Sequence, residues 1–271
     1  MRGLDLVPVG LVLALAGTVG VMAVRSSSFP PAPATRQDTI QIDAVTPTAV
    51  AIGSRRESVV LNRTRADVQS ELRRSRLAAP DFDRDDVLRR LGYGASGTYI
   101  MAMLADDSGA ARWQDRPMEP IRVWVDPASR IPDWRADYAR AARDAFEQWR
   151  SAGIPVRVNF LVDSAGAEVR VTWVDRFDDE RIGSTRRYRD QHWWLVAGDI
   201  TLALHTSNGT PLPSEVVAAT AVHEAGHLLG LNHSPDAGDI MASRHHGVHV
   251  PSPADLATMR LLYSIPPGRL R

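Results

Sequence analysis

"TAVHEAGHLLGLNHS", residues 220–234, holds three of the chain's eight histidines, His223, His227 and His233, spaced four and then six apart around one glutamate. Residues four apart on a helix lie one turn from each other, so His223 and His227 project from one face and can hold one ion from adjacent corners. Glu224 is rotated from His223 by about 100°, which carries its carboxylate past the ligand shell toward the space where a water would lie. Gly230 follows where the helix should stop. Glycine can take the left-handed conformation that turns the chain back and brings His233 to the same ion. Three neutral imidazoles at three corners of a tetrahedral Zn²⁺, with the fourth left to water, make a catalytic rather than a structural arrangement. A bare HExxH arises by chance; Gly230 and His233 at their fixed offsets make the pattern far more specific.

The rest of the chain is compatible with a single large domain and accessory segments. It has 271 residues, 44% hydrophobic and 24% charged, near the average for a soluble globular protein, so neither disorder nor a polytopic membrane protein is indicated. The formal charge is +0, which removes a whole-chain electrostatic case for nucleic acid as partner. Every cationic residue is Arg, a compositional bias rather than a binding signal. With no cysteine, disulfides, thiolate zinc sites and a cysteine nucleophile are excluded.

Four segments are expected. Residues 1–24 contain the uncharged run "LVPVGLVLALAGTVGVMAV" from Leu6 to Val24, which as a helix spans roughly 28 Å, close to a bilayer core. It reads as a signal peptide or an N-terminal membrane anchor, so the protein is expected to be exported: secreted, periplasmic or tethered to the membrane. Residues 25–58 open with "RSSSFPPAPATRQ", a Pro/Ser-rich linker. Residues 59–111 carry the short Arg-rich helical stretches "ADVQSELRRSRL" and "DRDDVLRRLGYG", either a pro-segment or an extension that packs on the domain. Residues 112–271 form the main domain. There "IRVWVD" (121–126), "VRVNFLV" (156–162), "AEVRVTWV" (167–174) and "DITLALH" (199–205) read as strands. "DWRADYARAARDAFEQWRSAG" reads as an amphipathic helix with Trp134, Tyr138, Ala141, Ala142, Ala145, Phe146 and Trp149 on its inner face. The three-histidine motif sits on a helix starting near Ser214. A last helix is signalled by Ser252 as N-cap, Pro253 in the first turn and Asp255 favourable to the helix dipole.

"HEAGHLLGLNH" resembles the extended HExxHxxGxxH pattern of the metzincin metalloproteases, and "DIMAS" (239–243) resembles their Met-turn. Ser234 after the third histidine, the "DIM" wording and "DLATMRLLY" are similar to the matrixin branch (peptidase M10), over roughly residues 112–265. The resemblance implies an α+β zincin fold of α/β type: a twisted, mostly parallel sheet, two long helices, an active-site helix, the Met-turn and a C-terminal helix. It implies zinc on His223, His227 and His233, Glu224 as catalytic general base and acid, Met241 as an apolar floor and Asp255 as a structural carboxylate. Animal matrixins add a cysteine switch, a second zinc and calcium ions. This chain lacks the cysteine and any matching His/Asp cluster, so one catalytic ion is expected.

These readings converge on an endopeptidase that hydrolyses an extended peptide or protein substrate, acting as a monomer. "DITLALH" is the expected edge strand for the substrate, with backbone contact near Ala203. His245, His246 and His249 fall where the family places the wall of its specificity pocket, which makes His246 a candidate substrate contact. His192 and His205 read as surface or pocket-wall residues, and Trp193 and Trp194 as packing. The competing reading is a catalytically silent zinc-binding scaffold at the cell surface; Glu224 argues against it, because binding needs no base there. Zinc-dependent hydrolysis of a non-peptide amide is a third.

Overall fold

The computed structural model describes residues 77–244 and 247–269. The expected apolar segment 1–24, the linker 25–58, the first part of the 59–111 extension and His246 lie outside the described residues. In chain order the elements are α1 (Arg84–Gly94), α2 (Ile100–Asp107), β1 (Gly109–Ala110), β2 (Arg116–Val125), α3 (Ala136–Trp149), β3 (Val156–Phe160), β4 (Val169–Val174), β5 (Gly183–Arg189), β6 (Leu195–Ala203), α4 (Ser214–Leu228), α5 (Pro253–Ser264) and β7 (Gly268–Arg269). Among the described residues no helix is long and apolar enough to cross a membrane.

Five strands form one sheet in the order β3-β2-β4-β6-β5, and β1 pairs with β7 separately. All neighbours in the large sheet run parallel except β5, which is antiparallel to β6. The fold is thus the expected mixed α/β zincin type with a mostly parallel sheet. Crossover helices cover a parallel sheet, so its inner strands become apolar on both faces. In β6, flanked by β4 and β5, seven of nine residues are buried.

Two strand readings need correction. β5, "GSTRRYR", was not legible as a strand because its alternation pairs buried Thr185 and Arg187 with exposed Arg186, a polar pattern on both faces. The strand over 199–205 begins earlier, at Leu195, and is not an edge: β4 and β5 flank it. The outermost strand on that side is β5.

The inner face of α3 holds Tyr138, Ala139, Ala142, Ala145, Phe146 and Trp149; of the expected set, Trp134 precedes the helix and Ala141 is only half-buried, with Ala139 buried instead. Its Trp149 indole donates to Val222 O of α4 at 2.9 Å, fixing the two helices against each other. At α5 the expected cap is a full capping box between Ser252 and Asp255, with Pro253 in the first turn.

The start of the domain near Arg112 is no break in the packing. Val87, Leu91, Tyr99, Ile100, Met103 and Leu104 from α1, α2 and the turn between them are buried in the same core as Met259 and Leu262 of α5. The Tyr99 N–H donates to Thr258 Oγ1 (3.1 Å), its hydroxyl donates to the fully buried Asp255 (3.0 Å), and Arg90 donates to Ser264 O (2.7 Å). Burial and the Asp255 carboxylate push the Tyr99 phenol well above its usual range, so it stays a donor.

Burying six such side chains contributes on the order of 10 kcal/mol, comparable to the whole stability of a domain. A chain beginning at Arg112 is therefore expected to lose cooperative thermal unfolding by circular dichroism, while one beginning at Leu77 keeps it. Tyr99→Phe, which leaves the Asp255 carboxylate short of a donor, should lower stability by about 1–3 kcal/mol in chemical denaturation.

Candidate metal centre

α4 is buried on most sides, with Val217, Ala219, Thr220, Ala221, Val222, Ala225 and Leu228 packed among the sheet, α3 and α5. A helix must satisfy its last carbonyls, and here each finds a donor. Ala225 O accepts from Leu229 N, Gly226 O from Leu231 N and His227 O from Gly230 N, at 2.9–3.0 Å. Leu228 O accepts from the Trp113 indole (2.9 Å) and Leu229 O from the Tyr263 hydroxyl (3.0 Å). Gly230 has φ +117°, and a Cβ there would stand 2.6 Å from Ala111 O. Both the left-handed backbone and the close approach require glycine, and the chain turns back at once toward His233.

The three histidines come together. Their coordinating atoms all lie within 4.8 Å of one another, and His227 Nε2 is 3.2 Å from His233 Nε2. Two nitrogens on one tetrahedral zinc stand about 3.3 Å apart, given Zn–N bonds of about 2.05 Å. His223 Nδ1 lies 2.7 Å from Ile240 O and His227 Nδ1 2.9 Å from Leu231 O. A carbonyl only accepts, so each Nδ1 carries the proton and each Nε2 presents its lone pair inward. Burial first, and then the neighbouring imidazoles and the Arg187 charge, push His227 well below 6.5 and His233 down to about 4. Neutral imidazoles are ligands at neutral pH, and this all-nitrogen donor set fits zinc.

The supports come from far along the chain. Asp255 Oδ2 accepts the Ile240 N–H at 2.9 Å, and Ile240 O in turn accepts from His223, so the carboxylate is linked to that imidazole through the backbone of a single residue. Met241 is fully buried, its sulfur against α4 at Gly226, as expected of an apolar floor. Ser234 N donates to Met241 O at 2.8 Å, closing the loop that carries His233 onto the Met-turn. Next to His233, Asn232 donates to Asp107 of α2 (2.8 Å) and accepts from Arg187 of β5 (2.9 Å).

Glu224 is 5% exposed and lies against β5. Thr185 Oγ1 is 2.6 Å from its Oε2 and 3.0 Å from its backbone carbonyl. A Cβ on Gly183 would stand 2.5 Å from Glu224 Oε1 and from Thr220 Cγ2, so a bare backbone is needed beside that oxygen. Thr185, Gly183, Arg187, Asn232 and Asp107 were not legible in the sequence as site residues. The available signal was the alternation of β5, and the burial of an arginine on it concealed that signal.

The other expected positions fall away from the histidines or outside the described residues. Ala203 is 1% exposed in an interior strand, and its N–H already donates to Ile182 O (2.9 Å), so it cannot receive a substrate backbone. His205 is buried, with Asp133 Oδ2 3.1 Å from Nε2 and Asp175 Oδ1 2.8 Å from Nδ1, the latter out of hydrogen-bonding alignment. Trp194 packs over Arg112 and donates to Ala78 O, and Trp193 stacks on Arg189 at 3.7 Å.

Removing one imidazole leaves two ligands, so His227→Ala is expected to lose its zinc after dialysis, read by elemental analysis. Gly183→Ala should keep its zinc yet displace the Glu224 carboxylate. In the metal-free protein the folded histidines bind protons less readily than unfolded ones. Their stability contribution is then complete above about pH 6.5 and lost as pH falls through about 4 for His233. Thermal melts of the metal-free protein should fall across that window, and zinc should suppress the fall.

Comparison with known families agrees with this geometry. The matrixin model of peptidase M10 matches residues 129–264, just over half of the chain. No curated protein matches the chain. With the three-histidine cluster and Met-turn in place, the chain belongs to the matrixin family of zinc metallopeptidases.

Proposed function

We propose that the protein is a zinc endopeptidase in which Glu224 is the general base and then the general acid. The observation that carries this reading is the convergence of His223, His227 and His233 beside a buried glutamate whose carboxylate is held in place. Those imidazoles would hold zinc, which when bound would supply a Lewis acid able to bring the pKa of a water from 15.7 to about 7. Glu224 takes the proton released as the water adds to the carbonyl carbon. It returns that proton to the amide nitrogen as the C–N bond breaks, so the amine leaves neutral. Asp255, through Ile240, and Leu231 O keep the two helix-borne imidazoles oriented meanwhile.

An extended peptide is the fitting substrate. β5 is the outermost strand and passes directly over Glu224, so a peptide paired along it would bring a carbonyl to the metal, with backbone hydrogen bonds giving affinity. The apolar run 6–24 supports export, with the catalytic domain outside the cytoplasm, either freed from that segment or tethered by it. A silent scaffold is less favoured, because neither Glu224 nor its clasp by β5 serves metal binding alone.

Incubating the purified full chain with casein should give cleavage that a chelator abolishes and zinc restores. Glu224→Ala should retain zinc and lose roughly 10²-fold to 10⁴-fold in kcat. Stoichiometric zinc without cleavage of any protein or peptide would overturn the reading in favour of the scaffold.

A further inference from the structure

We infer that Thr185 is a positioning residue for the reaction: its hydroxyl holds Oε2 of Glu224 and thereby orients the carboxylate that handles the proton. The inference rests on the reading of Glu224 as the base. Thr185 is buried on the inner face of β5, opposite Ile200 of β6, and its hydroxyl lies between two oxygens of the same glutamate. It has one proton to give. Oε2 at 2.6 Å is nearer than the backbone carbonyl at 3.0 Å, and it is charged. Hydrogen bonds to an ionised acceptor are shorter and roughly twice as strong as neutral ones, so the proton goes to the carboxylate. The backbone carbonyl is inside α4, where the helix's own N–H ladder serves it.

The consequence is a carboxylate with two unlike oxygens. Oε2 accepts from Thr185, while Oε1 lies beside Gly183, at a point where no side chain could stand. A glutamate has three rotatable side-chain bonds, and each swing away from the reacting atoms lowers the fraction of time in which proton transfer is possible. The Thr185 hydroxyl restricts that freedom. Because β5 is also the strand proposed to carry substrate, the same backbone that receives the peptide registers the base against it.

The test substitutes Thr185→Val, which keeps the shape and removes the hydroxyl, and Thr185→Ser, which keeps the hydroxyl. With a fluorogenic peptide, the valine variant should lose roughly tenfold or more in kcat with KM and zinc content unchanged, as expected for a lost hydrogen bond to a charged group. The serine variant should stay close to the unsubstituted enzyme. A second readout needs no turnover. In the zinc-free protein the ¹³C carboxyl resonance of Glu224, assigned by its loss in Glu224→Gln, should move in the valine variant and not in the serine variant. Unchanged kcat and resonance in the valine variant, or a serine variant as impaired as valine, would overturn the inference. If the valine chain does not fold, the Thr185 hydroxyl proton of the unsubstituted chain decides: a slowly exchanging resonance that shifts in Glu224→Gln supports the bond, and its absence refutes it. If the unsubstituted protein cleaves nothing, the endopeptidase reading fails, while the resonances still report separately on the Thr185–Glu224 bond.

Discussion

At the end of α4 five consecutive carbonyls, Ala225 to Leu229, each receive a donor although the chain leaves the helix almost at once. Three of the donors are backbone N–H groups of the turn. The other two are an indole from Trp113 and a phenol from Tyr263, which lie on opposite sides of the motif in sequence. Burying that helix end without such partners would leave orphan carbonyls at a cost of about 1–3 kcal/mol each. The tight turn at Gly230 is therefore tolerable only inside this packing, and without the turn His233 cannot face His227.

A second chain of dependence runs through single hydrogen bonds. Tyr99 and Ile240 both donate to Asp255, Ile240 orients His223, and Asp107 holds the residue before His233. Helices α1 and α2 precede the stretch that matches the matrixin family, yet they contribute to both the core and the support of the metal ligands. The Asp255 carboxylate and the Asn232 side chain that they meet are buried.

The antiparallel strand β5 joins the site to its surroundings. Its inner face places Gly183 and Thr185 against the glutamate, and Arg187 near the third histidine. Burial lowers the proton affinity of Arg187 and Asp107 opposes that effect. Among the described residues the same strand is the outermost of the sheet on its side.

The residues from Thr220 to Ser234 determined the centre almost alone, because a four-residue spacing on a helix and a glycine after its last turn are local geometry. The Met-turn and the N-cap at Ser252 were legible for the same reason. What only the tertiary structure decided involves partners far apart in the chain: Thr185 with Glu224, 39 residues on; Asp107 with Asn232, 125 on; Tyr99 with Asp255, 156 on. It also decided that β6 is interior and β5 is the edge, since strand order follows from packing between layers. Periodicity reports which face of an element is buried; it says nothing of which neighbour covers that face.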